Sequence, residues 1–85
     1  VAEVVIYSKP GCPYCIRAKA LFDRKGVAYE EIIASSDPEK KAEMMARSNG
    51  KATFPQIFVN GQHLGGSDDV HALDARGGLD PLLAA

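Results

Sequence analysis

Hydrophobic side chains fall in short runs divided by polar turns, and their spacing alternates between strand-like and helix-like stretches. From Glu3 to Ser8 the chain carries Val4, Val5, Ile6 and Tyr7 without a break. Such a β-branched and aromatic run predicts a strand covered on both faces. Lys9-Pro10-Gly11 interrupts it. Ala18, Leu21 and Phe22 then share one helical stripe, which predicts a helix from Pro13 to Lys25. Proline suits its first turn, where an N–H would lack a helical partner, and Gly26 suits the residue after its end.

A second strand is expected over Ala28 to Ile33. Ser36-Asp37-Pro38-Glu39 has the capping side chain, proline and early acid of a helix start. That helix should turn Met44 and Met45 inward and end near Ser48-Asn49-Gly50. Gln56 to Asn60 forms a third strand, and Asn60-Gly61 turns it into a hairpin returning through Gln62-His63-Leu64. After Gly65-Gly66 a helix is expected from about Asp68 to Arg76, capped by Ser67 or Asp68 and stopped by Gly77. A last helical turn should begin at Asp80-Pro81. The order is β-α-β-α-β-β-α. A right-handed crossover makes the first two strands parallel, giving an α/β fold with a mixed four-stranded sheet and helices on both faces.

Length and charge narrow the function. Eighty-five residues with 46% hydrophobic content suffice for one domain, spanning 1–85. A net charge of −1 lacks the basic excess of a nucleic-acid or membrane-surface protein, and no apolar run is long enough for a membrane span. Two cysteines are too few for a secreted disulfide scaffold. The chain is expected to be cytoplasmic and to act as a monomer.

Those cysteines carry the chemistry. Cys12-Pro13-Tyr14-Cys15 lies where the first strand gives way to the first helix. Cys12 would fall at the N-cap and Cys15 one turn inside, on the same face. Free backbone N–H groups and the helix dipole favour a thiolate there, and Lys9 adds positive potential. A nucleophilic Cys12 with lowered pKa and a deeper, resolving Cys15 follow. A structural disulfide is the weaker reading, because so short a loop constrains the unfolded chain little. A zinc site would need two further ligands, for which only His63 and His71 remain as nitrogen donors. Two inert buried cysteines fit the strand-to-helix placement less well than a redox-active pair.

In these segments the sequence closely resembles a glutaredoxin of the small bacterial dithiol type. The marks are Tyr7-Ser8-Lys9 leading into Cys12-Pro13-Tyr14-Cys15, then Thr53-Phe54-Pro55-Gln56-Ile57-Phe58, then Gly65-Gly66-Ser67-Asp68-Asp69, and the tail from Ala72 to Leu79. The resemblance implies a thioredoxin-like fold and glutathione-dependent exchange with protein disulfides and glutathione mixed disulfides. It makes glutathione a co-substrate and calls for no bound cofactor or metal. It also makes Pro55 a cis-proline facing the cysteines, and it lays the cysteine residue of glutathione against the backbone of Phe54, beside Thr53. The γ-glutamyl carboxylate would meet the N–H groups of Ser67 and Asp68, with the Asp68 carboxylate near the ammonium. Lys9 would meet the glycine carboxylate, Tyr14 would flank the sulfur, and Gly66 would allow close approach. Ser67 stands where many relatives carry a further cysteine, and Phe54 where valine is commoner.

Two alternatives belong to the same resemblance. One is an electron donor recharged by thioredoxin reductase, against which Gly65-Gly66-Ser67-Asp68 argues. The other is an iron–sulfur cluster carrier, which the stiff Cys-Pro-Tyr-Cys loop disfavours. Charge is mildly divided: residues 1–51 hold nine basic and seven acidic side chains, residues 52–85 one and four. A zwitterionic peptide could meet opposite signs at its two ends.

Overall fold

The computed structural model describes residues 2–84. Among them, strands and helices follow in the order β1 (Val4–Ser8), α1 (Pro13–Arg24), β2 (Glu30–Ile33), α2 (Pro38–Arg47), β3 (Gln56–Val59), β4 (Gln62–Gly65), α3 (Ser67–Ala75) and α4 (Leu79–Ala84). The sheet order is β2-β1-β3-β4. β1 runs parallel to β2 and antiparallel to β3, and β3 pairs antiparallel with β4. This is the mixed sheet expected from the element order.

The continuous apolar run of β1 is explained by its central place. All five of its residues are buried. Val4 and Ile6 face a layer containing Ala18, Leu21 and Phe22 of α1, Val70 of α3 and Leu79 of α4. Val5 and Tyr7 face the opposite layer, with Phe58 of β3 and Met44 of α2. Helices therefore cover both faces. The Tyr7 hydroxyl donates to Glu43 and accepts from Arg47 Nη1 at 2.8 Å, so the buried ring is also tied to α2 through its polar tip.

Several boundaries differ from the sequence expectation. The second strand starts at Glu30 rather than Ala28, because the parallel partners on β1 begin with the Val5–Glu30 pair. Only Met44 is fully buried on α2, while Met45 is half-buried at the edge of the same layer. The N-cap of α3 is Gly66, not Ser67 or Asp68. Asp69 accounts for this: its Oδ2 accepts from the Gly66 N–H at 3.0 Å, so the helix already begins at Ser67. The last helix starts at Leu79, one residue before Asp80. Elsewhere the local signals act as written. Asp37 Oδ1 caps α2 by accepting from the N–H groups of Glu39 and Lys40 at 3.1 and 3.2 Å. Asn60 and Gly61 both take positive φ, 53° and 81°, as a tight hairpin turn requires. Lys25 fastens the end of α1 to Asp74 and Asp80 at 2.7 and 2.8 Å, drawing α3 and α4 together.

Candidate active site

Cys12 occupies the N-cap of α1 in extended conformation, with Pro13 as the first helical residue. Cys15 lies one turn further in, and both are free thiols with 3% and 1% of their surface exposed. No formal side-chain cap forms at Cys12, yet nearby N–H groups still act on its sulfur. Burial pushes the Cys12 thiol up. Hydrogen bonds from the Cys15 thiol and from the N–H groups of Cys15 and Tyr14, helped by the Lys9 charge, more than reverse this and hold it below 9.0. Burial pushes the Cys15 thiol up to about 11, and its role as donor to Cys12 adds to the rise. The Lys9 N–H and the Lys19 charge oppose that rise without cancelling it. One sulfur is thus prepared as a thiolate and the other keeps its proton.

The loop before β3 closes over this pair. The Phe54–Pro55 bond is cis, and the Phe54 carbonyl lies 3.9 Å from Cys12 Sγ. Phe54 is half-buried and Pro55 fully buried, whereas Thr53 is exposed. Beyond Pro55 the surface continues to Gly66, where a Cβ would sit 3.5 Å from the Pro55 carbonyl. From there the chain enters α3, whose first N–H groups belong to Ser67 and Asp68 and lack helical acceptors. Ser67 is buried and Asp68 exposed. Lys9 is exposed, and its charge acts on Cys12. Tyr14 is 51% exposed, and the Arg17 guanidinium stands 5.6 Å from its ring centroid. Phe54 therefore lies beside Cys12, Gly66 beside Pro55, and Lys9 close enough for its charge to act on Cys12, while Ser67 and Asp68 follow Gly66 directly in the chain.

The remaining polar groups nearby are engaged with one another. Gln56, 2% exposed, donates from Nε2 to the carbonyl and Oγ1 of Thr53, each at 3.0 Å. Its Oε1 accepts from His63 Nε2 at 2.6 Å. His71 Nδ1 pairs with the Ser67 carbonyl at 2.8 Å. The two histidines weighed as zinc ligands thus have other partners, and no cluster of three or more His, Cys, Asp or Glu fit for a metal occurs among the described residues. The sequence singled out neither residue as part of the site: His63 was weighed only as a zinc donor, and Gln56 only as part of the Thr53–Phe58 segment. Only the place of Gln56 directly after Pro55 hinted otherwise.

Comparison with known proteins agrees with this geometry. The family model described as Glutaredoxin matches residues 4–64. Glutaredoxin 3 of Escherichia coli (strain K12) is 57% identical over 83 residues, covering 98% of this chain and 99% of the relative. The solution structure of glutaredoxin from Brucella melitensis superposes with a TM-score of 0.82 at 57% identity, over 95% of this chain and 87% of that one. A crystal structure of a buckwheat glutaredoxin–glutathione complex gives a TM-score of 0.85 at 36% identity, over 98% and 77% of the two chains. The architecture is that of the thioredoxin-like fold. The chain belongs to the glutaredoxin family, glutathione-dependent thiol–disulfide oxidoreductases that work through a cysteine pair.

Proposed function

We propose that Cys12 is the nucleophile, that Cys15 is the resolving thiol, and that glutathione is held between Lys9 and Asp68. What supports this division is the opposed acidity of the two thiols, one lowered and the other pushed up to about 11.

In the monothiol route the Cys12 thiolate attacks the glutathione sulfur of a mixed disulfide R–S–SG. The Cys12–SG bond forms, the R–S bond breaks, and the R thiolate leaves and is protonated. The thiolate of a second glutathione then attacks the Cys12-bound sulfur of the adduct, releasing oxidised glutathione and the Cys12 thiolate. In the dithiol route Cys12 opens a protein disulfide, and Cys15, once deprotonated, displaces the substrate by attacking the Cys12 sulfur. Two glutathiones then reduce the resulting 12–15 disulfide and leave as one oxidised dimer. Glutaredoxin potentials of about −200 to −230 mV lie near the cytosolic glutathione poise, so exchange runs in either direction.

The backbone N–H and C=O of Phe54 pair with the cysteine residue of glutathione as an added strand, with Thr53 and Pro55 framing it. The γ-glutamyl carboxylate sits at the start of α3 on the N–H groups of Ser67 and Asp68, as anions do at helix N-termini. The Asp68 carboxylate pairs with the adjacent ammonium, Lys9 with the glycine carboxylate, and Tyr14 packs beside the sulfur. Gly66 leaves room for the ligand backbone. The working unit is one domain spanning residues 1–85, a cytoplasmic monomer acting on disulfide-bonded and glutathionylated proteins. No helix of the described residues is long and apolar enough to cross a membrane.

The test compares Cys12→Ser and Cys15→Ser in a glutathione-coupled turnover assay. Cys12→Ser should abolish both routes. Cys15→Ser should keep reduction of a glutathionylated peptide and lose reduction of protein disulfides that need the dithiol. Equal loss of the peptide reaction in both variants would contradict the assignment.

A further inference from the structure

The hydrogen bonds behind Thr53 form a chain that starts in the hairpin and ends in the proposed glutathione site. β3 pairs Phe58 with His63 but Ile57 with Gly65, so Leu64 is an extra residue on β4. Bulges of this kind re-aim the side chains on either side of them. Here the bulge leaves the His63 ring on the Phe58 side, with centroids 5.0 Å apart, and aims Nε2 at Gln56 Oε1, 2.6 Å away. An amide oxygen only accepts, so His63 donates through Nε2 and fixes which end of the Gln56 amide faces it. The NH2 end is left to hold both the carbonyl and the hydroxyl of Thr53. The amide is buried, and its neighbour in the chain is Pro55. Lys51, Thr53, Gln56, His63, Gly66 and Asp69 line a cleft of about 340 Å³ on this side.

We propose that Gln56, oriented by His63, is the positioning residue of the glutathione site, setting the Thr53–Phe54 backbone at the height where an added strand can pair. It rests on the glutathione reading given above. Neither side chain touches the reacting sulfur, so each acts through the loop. Removing the amide should weaken recognition of the glutathionyl group and leave the reactivity of Cys12 alone. His63 acts only through Gln56, so its loss should matter only while the glutamine is present.

The experiment measures kcat and apparent KM for a glutathionylated peptide, with the alkylation rate of Cys12 by iodoacetamide as a readout that needs no glutathione. Gln56→Met keeps the buried volume and removes every hydrogen bond. KM should rise about tenfold, with kcat and the alkylation rate within about twofold of wild type, the scale of one lost hydrogen-bonding group. His63→Phe keeps a ring against Phe58 and should raise KM about threefold, the double variant being no worse than Gln56→Met alone. Unchanged KM in both folded single variants overturns the proposal, as does full additivity in the double variant. A loss carried by kcat together with slower Cys12 alkylation also overturns it, since the loop would then be acting on the sulfur. If Gln56→Met does not fold, His63→Phe decides alone: a raised KM with unchanged alkylation supports the proposal, and an unchanged KM overturns it. Failure of the underlying reading would look different, because wild type itself would then show no saturation by the glutathionylated peptide.

Discussion

Raising the pH over a reduced sample tests the asymmetry of the two thiols. Cys15 is pushed up to about 11, so its thiolate fraction at pH 7 is about 10⁻⁴. Cys12 lies below 9.0, so its thiolate fraction at pH 7 exceeds about 1%. Thiolate population alone therefore favours Cys12 by at least about 100-fold. The more basic thiolate is intrinsically the better nucleophile, and a Brønsted slope of about 0.4–0.5 returns part of this advantage to Cys15. A net preference for Cys12 remains at pH 7, because a slope well below one returns less than the thiolate population gives. The assay is pulse alkylation with iodoacetamide, initial rates being read separately on each cysteine by mass spectrometry. Between pH 7 and 9 the Cys15 rate should climb about tenfold per pH unit, while the Cys12 rate climbs less steeply because its thiol is the more acidic. Equal rates at pH 7, or a Cys15 rate that levels off below pH 9, would refute the reasoning.

Gly65→Ala should lower stability by more than about 1 kcal/mol, since φ is +108° and a Cβ would crowd Asp69 Cγ and Cβ at 2.8 and 2.9 Å while the Asp69 carboxylate is held by Gly66. A calorimetric midpoint lowered by about 4–8 °C per kcal/mol is the expected reading. Leu79→Ala empties a fully buried place where α4 meets the α1 layer and should cost about 2–5 kcal/mol, seen as a lower urea midpoint with an unchanged slope. Glu31 is held below its ordinary 4.5 by hydrogen bonds from Lys19 and then Ser8. A depressed carboxylate stabilises the fold fully above its unfolded pKa, and this contribution fades as pH falls from 4.5 through the folded value. Glu31→Gln should therefore show a smaller loss of thermal midpoint than wild type on acidification through that window.

The sequence signals that succeeded are those decided within a few residues or by burial alone. β1 is uniformly apolar because it lies between β2 and β3 under helices on both faces. The Asp37 cap, the Asn60-Gly61 turn and the placement of Cys12 at a helix start each depend on neighbours in the chain. The start of α3 was harder, because Gly66, Ser67 and Asp68 all precede a plausible first turn and only the Asp69–Gly66 hydrogen bond selects among them. The cis bond before Pro55 came from family resemblance, since a proline in sequence favours trans. What no local pattern carries is contact across the sheet. The Gln56–His63 bond depends on a bulge at Leu64, and the Tyr7–Glu43–Arg47 set depends on how α2 lies over β1. Both join residues whose spacing in sequence has no period to mark them.

The most direct measurement of the central claim is the mass of Cys15→Ser after brief exposure to oxidised glutathione, with the adduct located by peptide mapping. The expected result is one glutathionyl group per chain, on Cys12, removed again by reduced glutathione. No adduct on Cys12, or an adduct there that reduced glutathione does not release, would contradict the assignment of Cys12 as the exchanging nucleophile.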